Sequence, residues 1–302
     1  MGKGLKGDFT SFSFKGIDSS DLGITRVSDG SRYTEDLLPT SQDKTAVIPG
    51  GDGTYYWETN HTQKVFNIPI AFDNLSEEQY KRLRQVFNTK ELGELKFAET
   101  DYKYYMAKPT GIPQLKTVCF EEEYYDEVDK KNKKRRIYKG EGTIQFTAYY
   151  PYAKGEKITK NIGEENGSAI TTIELINSGD LETDFQLFLS FSDGYNGADV
   201  IKSITLTNEK GATIGKLDFG NGITNLKPNY DGGIRINSKT NLIEGYAKNT
   251  AGDTIIHNRI YNKFITAGDF FKIPVGKSTL TLSTANDKVV KWCYLAYDQI
   301  YY

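Results

Sequence analysis

The sequence is poor in the residues on which most protein chemistry depends. It has 2 cysteines and 2 histidines among 302 residues. Cys119 and Cys293 are too far apart and too few to form a disulfide framework, so we expect both to be reduced, in a protein made in a cytosol. Together with His61 and His257 they lack the spacing of a zinc site. We therefore predict that the protein holds no metal and no cofactor.

Catalytic and nucleotide-binding motifs are missing as well. The chain contains no P-loop, no His-Glu-x-x-His and no Gly-x-Ser-x-Gly. The glycine-rich run at 50–53 is typical of a turn, and the aspartate-containing segment 193–199 lacks the pattern of an EF-hand. Carboxylates are abundant, but nothing singles out a pair as the acid and base of a glycoside hydrolase. The sequence predicts that the protein is not an enzyme.

Long apolar runs are also absent. No stretch approaches the roughly 20 apolar residues that a membrane-spanning helix needs. Residues 1–8 lack the apolar core of a signal peptide. We therefore expect neither membrane insertion nor Sec-dependent export. The formal net charge of −2 argues against specific nucleic-acid binding, which usually requires a clearly basic protein.

Aromatic residues, in contrast, are plentiful, with 21 Tyr and 16 Phe. They favour β-strands, and tyrosine also favours protein interfaces. Apolar residues alternate with the period of a strand at 65–72, 143–150 and 185–191, and more briefly at 204–206, 234–236 and 280–282. Pro69 indicates that its strand lies at an edge or carries a bulge. The predicted fold class is mainly β, with two β-sandwich domains.

One helix and one polar stretch divide the chain further. Residues 76–79 fit a capping box, and apolar residues follow at helical spacing, which predicts a helix packed against the first sheet. A polar, glycine-containing stretch between Tyr152 and Ser168 is typical of a linker or a domain-edge loop. We place the first domain, which includes the helix, at residues 1–155 and the second at 169–302.

The segment 121–136 has six acidic residues followed by six basic ones. A hairpin that turns near 131–132 would place acids opposite bases, and each such pair contributes roughly 0.2–1 kcal/mol. Residues 133–136 alone would be typical of a nucleic-acid patch, but the acidic half cancels their field. We predict a long charged hairpin that projects from the first domain and contacts a neighbouring subunit or another protein. Its candidate contact residues are Glu121, Glu123, Asp126, Lys133 and Arg135.

The second half raises the alternatives of sugar binding and protein docking. His257 and Arg259 would share a face of a strand, and galectin-type lectins use His, Asn and Arg with a stacking Trp. Here the spacing differs, and Trp292 lies in an apolar run that predicts a buried core strand. We therefore predict a docking surface, with Tyr195 and Tyr230 in surface turns as contact residues.

Several stretches resemble the distal tail protein family of long-tailed phages, in the same order along nearly the whole chain. These stretches are 12–24, 48–53, 142–152, 176–185, 234–243 and 271–276. The stretch 48–53 is similar to the family's Pro-Gly-x-Asp-Gly turn, although Gly51 stands where a larger, often basic residue is expected.

The resemblance implies a structural subunit of the phage tail tip, synthesised in the host cytoplasm and built into the virion. Family members form a hexameric ring from their N-terminal domains and have a galectin-like, jelly-roll C-terminal domain. The ring joins the tail tube protein to the central hub or tail-associated lysin, and it anchors receptor-binding or side-fibre proteins.

The alternative function is that of a carbohydrate-binding adhesion module that contacts the host cell wall. In this interpretation His257 and Arg259 bind the sugar. It requires an exposed aromatic platform in the second domain, which a sequence alone does not reveal.

Overall fold

The protein is described from a computed structural model. The structure describes residues 11–27, 34–35, 39–50, 52–110, 114–163, 171–191, 201–220, 233–248, 254–260, 262–284 and 290–302. The chain divides into two compact units, Met1–Lys154 together with Tyr302, and Gly155–Tyr301. Regular structure in the described ranges is β apart from one α-helix and short 3₁₀ turns, so the prediction of a mainly β fold is confirmed.

The first unit is an antiparallel β structure with one helix. Its elements are β1 (Phe12–Phe14), β2 (Ile17–Asp18), β3 (Thr25–Arg26), β4 (Thr34–Glu35), β5 (Thr40–Val47), β6 (Thr54–Ser76), α1 (Glu77–Phe87), β7 (Gly93–Phe97), β8 (Lys103–Pro109), β9 (Gln114–Asp126) and β10 (Lys131–Ala148), with 3₁₀ turns at Ser20–Leu22 and Ala98–Thr100. The long strand β6 pairs with β10 on one side and with β3, β4 and β5 elsewhere along its length. Strand β10 pairs in turn with β8 and β9.

The core of the first unit follows from the alternation along its strands. Strand β6 buries Phe66, Ile68, Ile70 and Phe72, as predicted. Helix α1 covers this face: the Phe87 ring lies 6.0 Å from the ring of Phe146 on β10 and 6.3 Å from that of Phe14 on β1. Aromatic side chains bury the largest apolar area per residue, so they dominate the stability of this core.

The predicted helix and its capping box are both present. The Ser76 hydroxyl accepts a hydrogen bond from the Gln79 backbone N–H at 3.2 Å, and the Gln79 side chain accepts one from the Ser76 N–H at 2.9 Å. Two helix-terminal donors are thereby satisfied. Tyr80 stacks on Tyr138 with 4.5 Å between ring centroids, which fixes α1 to the inner face of the β9–β10 pair.

Pro69 lies in an interior strand, so the edge position is wrong, although β6 does carry register shifts against β10 and β5, as the alternative of a bulge allowed. Its strand pairs with β10 at Thr143 on one side and with β3 at Ile70 on the other. The Pro69 carbonyl accepts a hydrogen bond from the Val27 N–H at 3.0 Å. The Pro69 nitrogen, which has no hydrogen to donate, therefore faces the end of the short strand β3. No backbone carbonyl of β3 needs a hydrogen bond from it there.

The second unit contains two antiparallel sheets. Its strands are β11 (Ala153–Gly163), β12 (Thr172–Asn177), β13 (Phe185–Phe191), β14 (Ile201–Asn208), β15 (Thr213–Asp218), β16 (Gly233–Asn237), β17 (Leu242–Lys248), β18 (Thr254–Ile260), β19 (Ala267–Gly268), β20 (Gly276–Thr284) and β21 (Val290–Tyr301), with a 3₁₀ turn at Asn262–Phe264. One sheet has the order β12-β20-β14-β15-β19, and the other runs β18-β17-β16-β13-β21-β11. Buried side chains of both sheets form one hydrophobic core, which is the arrangement of a sandwich.

The stretch predicted as a linker contains a strand. Residues 153–163 form β11, whose Ile158 and Ile162 are partly buried against the core of the second unit. The polar composition concealed this strand because only these widely spaced isoleucines contact the core. The expectation of a linker is therefore wrong for this part of the chain.

Candidate assembly surfaces

The charged hairpin, residues 121–136, pairs opposite charges across its two strands. Lys134 lies opposite Glu123, and Arg135 lies opposite Glu122. The Arg135 guanidinium donates to the Glu122 carboxylate at 2.6 Å, and the Lys134 Nζ lies 3.6 Å from a Glu123 oxygen. The predicted facing of acids and bases is present. Because these side chains are exposed, each pair stabilises the hairpin only weakly.

Asp126 organises the turn of the charged hairpin, which lies slightly earlier than predicted, at 127–130. Its Oδ1 accepts the backbone N–H groups of Val128 at 2.9 Å and Asp129 at 3.2 Å, and its Oδ2 accepts from Lys133 at 2.6 Å. Lys133 and these amides hold the pKa of the Asp126 carboxyl below its ordinary value. The aspartate therefore replaces a backbone acceptor in a tight turn.

The five candidate contact residues of the charged hairpin do not share one face. Successive side chains of a strand point to opposite faces. The register consequently places Asp126, Lys133 and Arg135 on one face and Glu121 and Glu123 on the other. A partner that meets one face of the hairpin would contact only part of the predicted set.

The face that bears Arg135 continues into a groove on the side of the first sheet opposite to α1. This outer groove has a volume of about 760 Å³. It is lined by Gly23, Thr25, Ala71, Phe72, Asp73, Lys116, Val118, Phe120, Lys139, Gly140 and Glu141. Val118 and Phe120 present apolar side chains that are 55% and 53% exposed. The outer groove is therefore an apolar concavity that nothing in the described part of the unit fills.

Gly140 permits the close approach of strands beside the outer groove. A Cβ atom at this position would lie 2.4 Å from the Lys116 carbonyl oxygen and 2.7 Å from the ring of Phe72. Both distances are shorter than van der Waals contact, so a larger residue would push β9 and β10 apart. The register of β10 against β6 also shifts here, between Tyr138 and Gly140.

A second projection is formed by β5 and the first half of β6. None of the described residues from 40 to 62, here called the arm, is buried. Its tip carries the exposed apolar residues Val47, Ile48, Tyr55, Tyr56 and Trp57, and the Trp57 side chain is 65% exposed. Sequence reasoning identified only the turn at 50–53 and missed the arm, although the Tyr-Tyr-Trp run directly after that turn was a usable signal.

The second unit has a row of aromatic side chains on the outer face of one sheet. The rings of Trp292 and Tyr294 stack with 6.1 Å between centroids, and Tyr294 lies edge-on to Phe188 at 5.9 Å. The Arg235 guanidinium lies 5.7 Å from the Phe188 ring centre and 3.6 Å from the Glu244 carboxylate.

Trp292 is half-buried in this row, so the prediction that it lies in the core is wrong. Its strand does contribute to the core, but through the alternate residues Cys293 and Leu295. The Trp292 indole N–H donates to the Asn161 side chain. An apolar run identified the strand correctly and gave no information on which of its faces each side chain occupies.

The remaining candidate contact residues lie wholly or partly outside the described part of the chain. This holds for Tyr195 and Tyr230, whose backbone and side chains both lie outside it. His257 and Arg259 lie on β18, as expected for a strand, but the described part excludes their side chains.

The groups that could carry chemistry are few. Within the described ranges, no three His, Cys, Asp or Glu side chains cluster in a way that could hold a metal ion. Cys119 is exposed, whereas Cys293 is buried, and burial raises the pKa of its thiol to about 12. No helix in these ranges is both long enough and apolar enough to cross a membrane.

Residues 17–148 match the family model described as a phage tail protein RIFT-related domain. These residues include the arm, the outer groove and the charged hairpin. The chain therefore carries a phage tail domain, in agreement with the resemblance to a phage tail protein family. The protein is a structural component of the virion tail.

Among solved structures, the chain is similar to the SPP1 Dit (gp 19.1) protein, described as a paradigm of the hub adsorption apparatus in phages that infect Gram-positive bacteria. The identity is 11%, the TM-score is 0.55, and the match covers 97% of this chain and 99% of that one, which shows a shared fold. The baseplate of phage p2 in its Ca-activated conformation matches at 9% identity and TM-score 0.36, over 96% of this chain and 97% of that one.

A fructofuranosidase from Schwanniomyces occidentalis matches at 9% identity and TM-score 0.20, over 87% of this chain and 59% of that one. At such TM-scores neither this match nor that of the p2 baseplate supports an argument. No curated protein matches the sequence.

Proposed function

We propose that this protein assembles into a hexameric ring at the tail tip, with the first unit as the ring-forming part. The observation that carries this proposal is the pair of exposed projections on that unit, the arm and the charged hairpin. A two-stranded ribbon alone is marginally stable in water. Both projections are therefore expected to gain stability by packing against a neighbour, and heterologous contacts between neighbours close into a ring.

In this proposal the ring joins the tail tube to the central hub or tail-associated lysin. The second unit anchors a receptor-binding or side-fibre protein, and its outer aromatic row supplies the large, rigid contact area that docking surfaces use. The description of the SPP1 Dit protein as part of a hub adsorption apparatus supports this assignment. The subunit works by positioning other proteins, without catalysis, cofactor, membrane insertion or specific nucleic-acid binding.

Light scattering and negative-stain electron microscopy of the purified protein test the ring. We expect a particle of six subunits with a central opening, in equilibrium with monomer at low concentration. Monomer at every concentration, and also after addition of the tail tube and hub proteins, would contradict the proposal.

A second candidate function is that of a carbohydrate-binding module, and the row formed by Trp292, Tyr294 and Phe188 favours it. The polar groups beside this row are already used within the protein, since Trp292 donates to Asn161 and Arg235 lies against Glu244. Docking is therefore the preferred role of the surface.

Calorimetry with host cell-wall polysaccharide separates the two functions. We expect no binding by the full chain. Saturable binding that is lost in Trp292→Ala, His257→Ala or Arg259→Ala would favour the adhesion module instead.

A further inference from the structure

The arm and the outer groove occupy opposite ends of one continuous strand. Strand β6 forms one side of the arm at its beginning and lines the outer groove with Ala71, Phe72 and Asp73 near its end. The extended backbone between Trp57 and Phe72 spans roughly 50 Å at about 3.3 Å per residue. An arm tip therefore cannot fill the groove of its own subunit.

The two surfaces complement each other in shape and polarity. The arm tip is a narrow projection with three adjacent aromatic residues, Tyr55, Tyr56 and Trp57. The outer groove is a concavity with Val118 and Phe120 exposed at its edge. Its volume of about 760 Å³ is in the range that encloses small organic ligands, so it can receive two aromatic side chains. Each surface alone leaves apolar area in water, at a cost of roughly 25 cal/mol per Å².

One pair of opposite charges is also available to the two surfaces. Asp52 lies in the turn of the arm, and Lys116 lines the outer groove. Among the described residues, neither has an ion-pair partner within its own chain. The neighbouring groove lysine, Lys139, is already paired with Asp73 at 2.7 Å. The groove lining as a whole is neutral, since Asp73 and Glu141 accompany its two lysines, so Lys116 offers Asp52 a single local charge partner that would help to fix the direction in which the two surfaces meet.

We propose that the arm tip of one copy packs into the outer groove of the next copy. Tyr55 and Trp57 contact Val118 and Phe120 there, and Asp52 lies near Lys116. The inference rests on the proposed ring and names the surfaces that form it. Because the two surfaces differ and lie at opposite ends of the unit, the contact is head-to-tail, and six such contacts form the proposed ring if the rotation between neighbours closes.

Directed cross-linking tests this contact in the assembled protein. Tyr55→Cys and Val118→Cys are combined in a Cys119→Ser background and treated with a short bifunctional maleimide. We expect a ladder of covalent products that ends at the hexamer. A mixture of the two single-cysteine variants should give dimers only, because each subunit then contributes one end of the contact.

Leu92→Cys, at an exposed position outside both surfaces, replaces Tyr55→Cys in the matched control, and this variant should give no ladder with Val118→Cys. If the protein forms hexamers by light scattering but the Tyr55 and Val118 positions do not cross-link, this contact is wrong and the ring stands. Dimers of Tyr55→Cys alone would show an arm-to-arm contact and overturn the inference. A protein that stays monomeric even in the presence of its tail partners would refute the ring itself.

Charge reversal gives an independent readout. Asp52→Lys and Lys116→Asp should each raise the concentration needed for half-assembly by roughly two- to fivefold, the effect expected of an exposed ion pair. The double reversal should restore most of this loss. Two single effects that simply add in the double variant would contradict a direct approach of the two side chains.

Discussion

At the scale of single residues, the motif 176–185 is explained by the hydrogen bonds of one buried asparagine. The Asn177 side-chain amide donates to the Leu181 carbonyl at 2.9 Å, and its Oδ1 accepts from the Gly179 N–H at 3.0 Å. Gly179 is required because a Cβ there would lie 2.5 Å from the carbonyl oxygen of Ile300. This stretch of the resemblance thus fixes a turn of the second unit.

We therefore expect Asn177→Ala to lower the free energy of unfolding by about 2–3 kcal/mol, since buried backbone groups lose their partners. Asn208 is a control in an exposed turn: its Oδ1 accepts two backbone N–H groups, from Lys210 and Ala212, both at 3.0 Å. Asn208→Ala should cost about 1 kcal/mol or less because water replaces the lost acceptor. Urea unfolding measures both values, and equal losses would contradict the structural role given to Asn177.

A second prediction at this scale concerns pH. The pKa of Asp126 lies below its ordinary value of 3.8, because Lys133 and two backbone amides favour the ionised form. A lowered folded-state pKa means that the stabilisation is present above pH 3.8 and is lost as the pH falls through the folded value.

The protection of the Val128 and Asp129 amides from hydrogen exchange, relative to the intrinsic rate at each pH, should therefore be high in the ionised range and fall below it. In Asp126→Asn the same amides should exchange with no such transition. A wild-type transition well above pH 3.8 would show that another group controls the turn.

At the scale of elements, sequence periodicity predicted the strands and the helix whose residue pattern is set by near neighbours in the sequence. The alternation at 65–72 identified the buried side of β6, and the Ser76–Gln79 capping box located the start of α1. Neither the arm nor β11 was predicted: β11 is a polar strand with only two partly buried isoleucines, and the apolar residues of the arm are exposed and so do not follow the alternation of a buried face. Pro69 and Trp292 were misplaced for a related reason, since pairing partners and sheet faces depend on residues distant in the sequence.

The charged hairpin and the facing of its acids and bases were predicted because its opposite charges are local in sequence, but the turn at 127–130 changes which residues pair. It can be shortened without loss of core residues: Glu121 and Arg136 are direct cross-strand partners, so residues 122–135 can be replaced by Asn-Gly, which favours a tight hairpin turn. We expect the midpoint of thermal unfolding to stay nearly unchanged and tail assembly to fall. Tails assembled at normal yield by this variant would show that the charged hairpin has no role in assembly.

At the scale of the whole molecule, each unit has its own hydrophobic core. The arm, the charged hairpin and the outer groove of the first unit do not contribute to that core. Long exposed ribbons, an open apolar groove and an aromatic tip are costly in an isolated domain and useful in a closed assembly. The sequence alone indicated a tail protein through scattered motifs. The arm and the outer groove were identified only from the structure, because they depend on how the two ends of β6 pair with other strands.

The most direct test of this account is cryo-electron microscopy of intact tails bound by an antibody fragment against the second unit. We expect six fragments at a single level at the tip, around the axis of the tail tube. Fragments spaced along the tube or bound at the capsid, or a number at the tip that does not match six-fold symmetry, would contradict it.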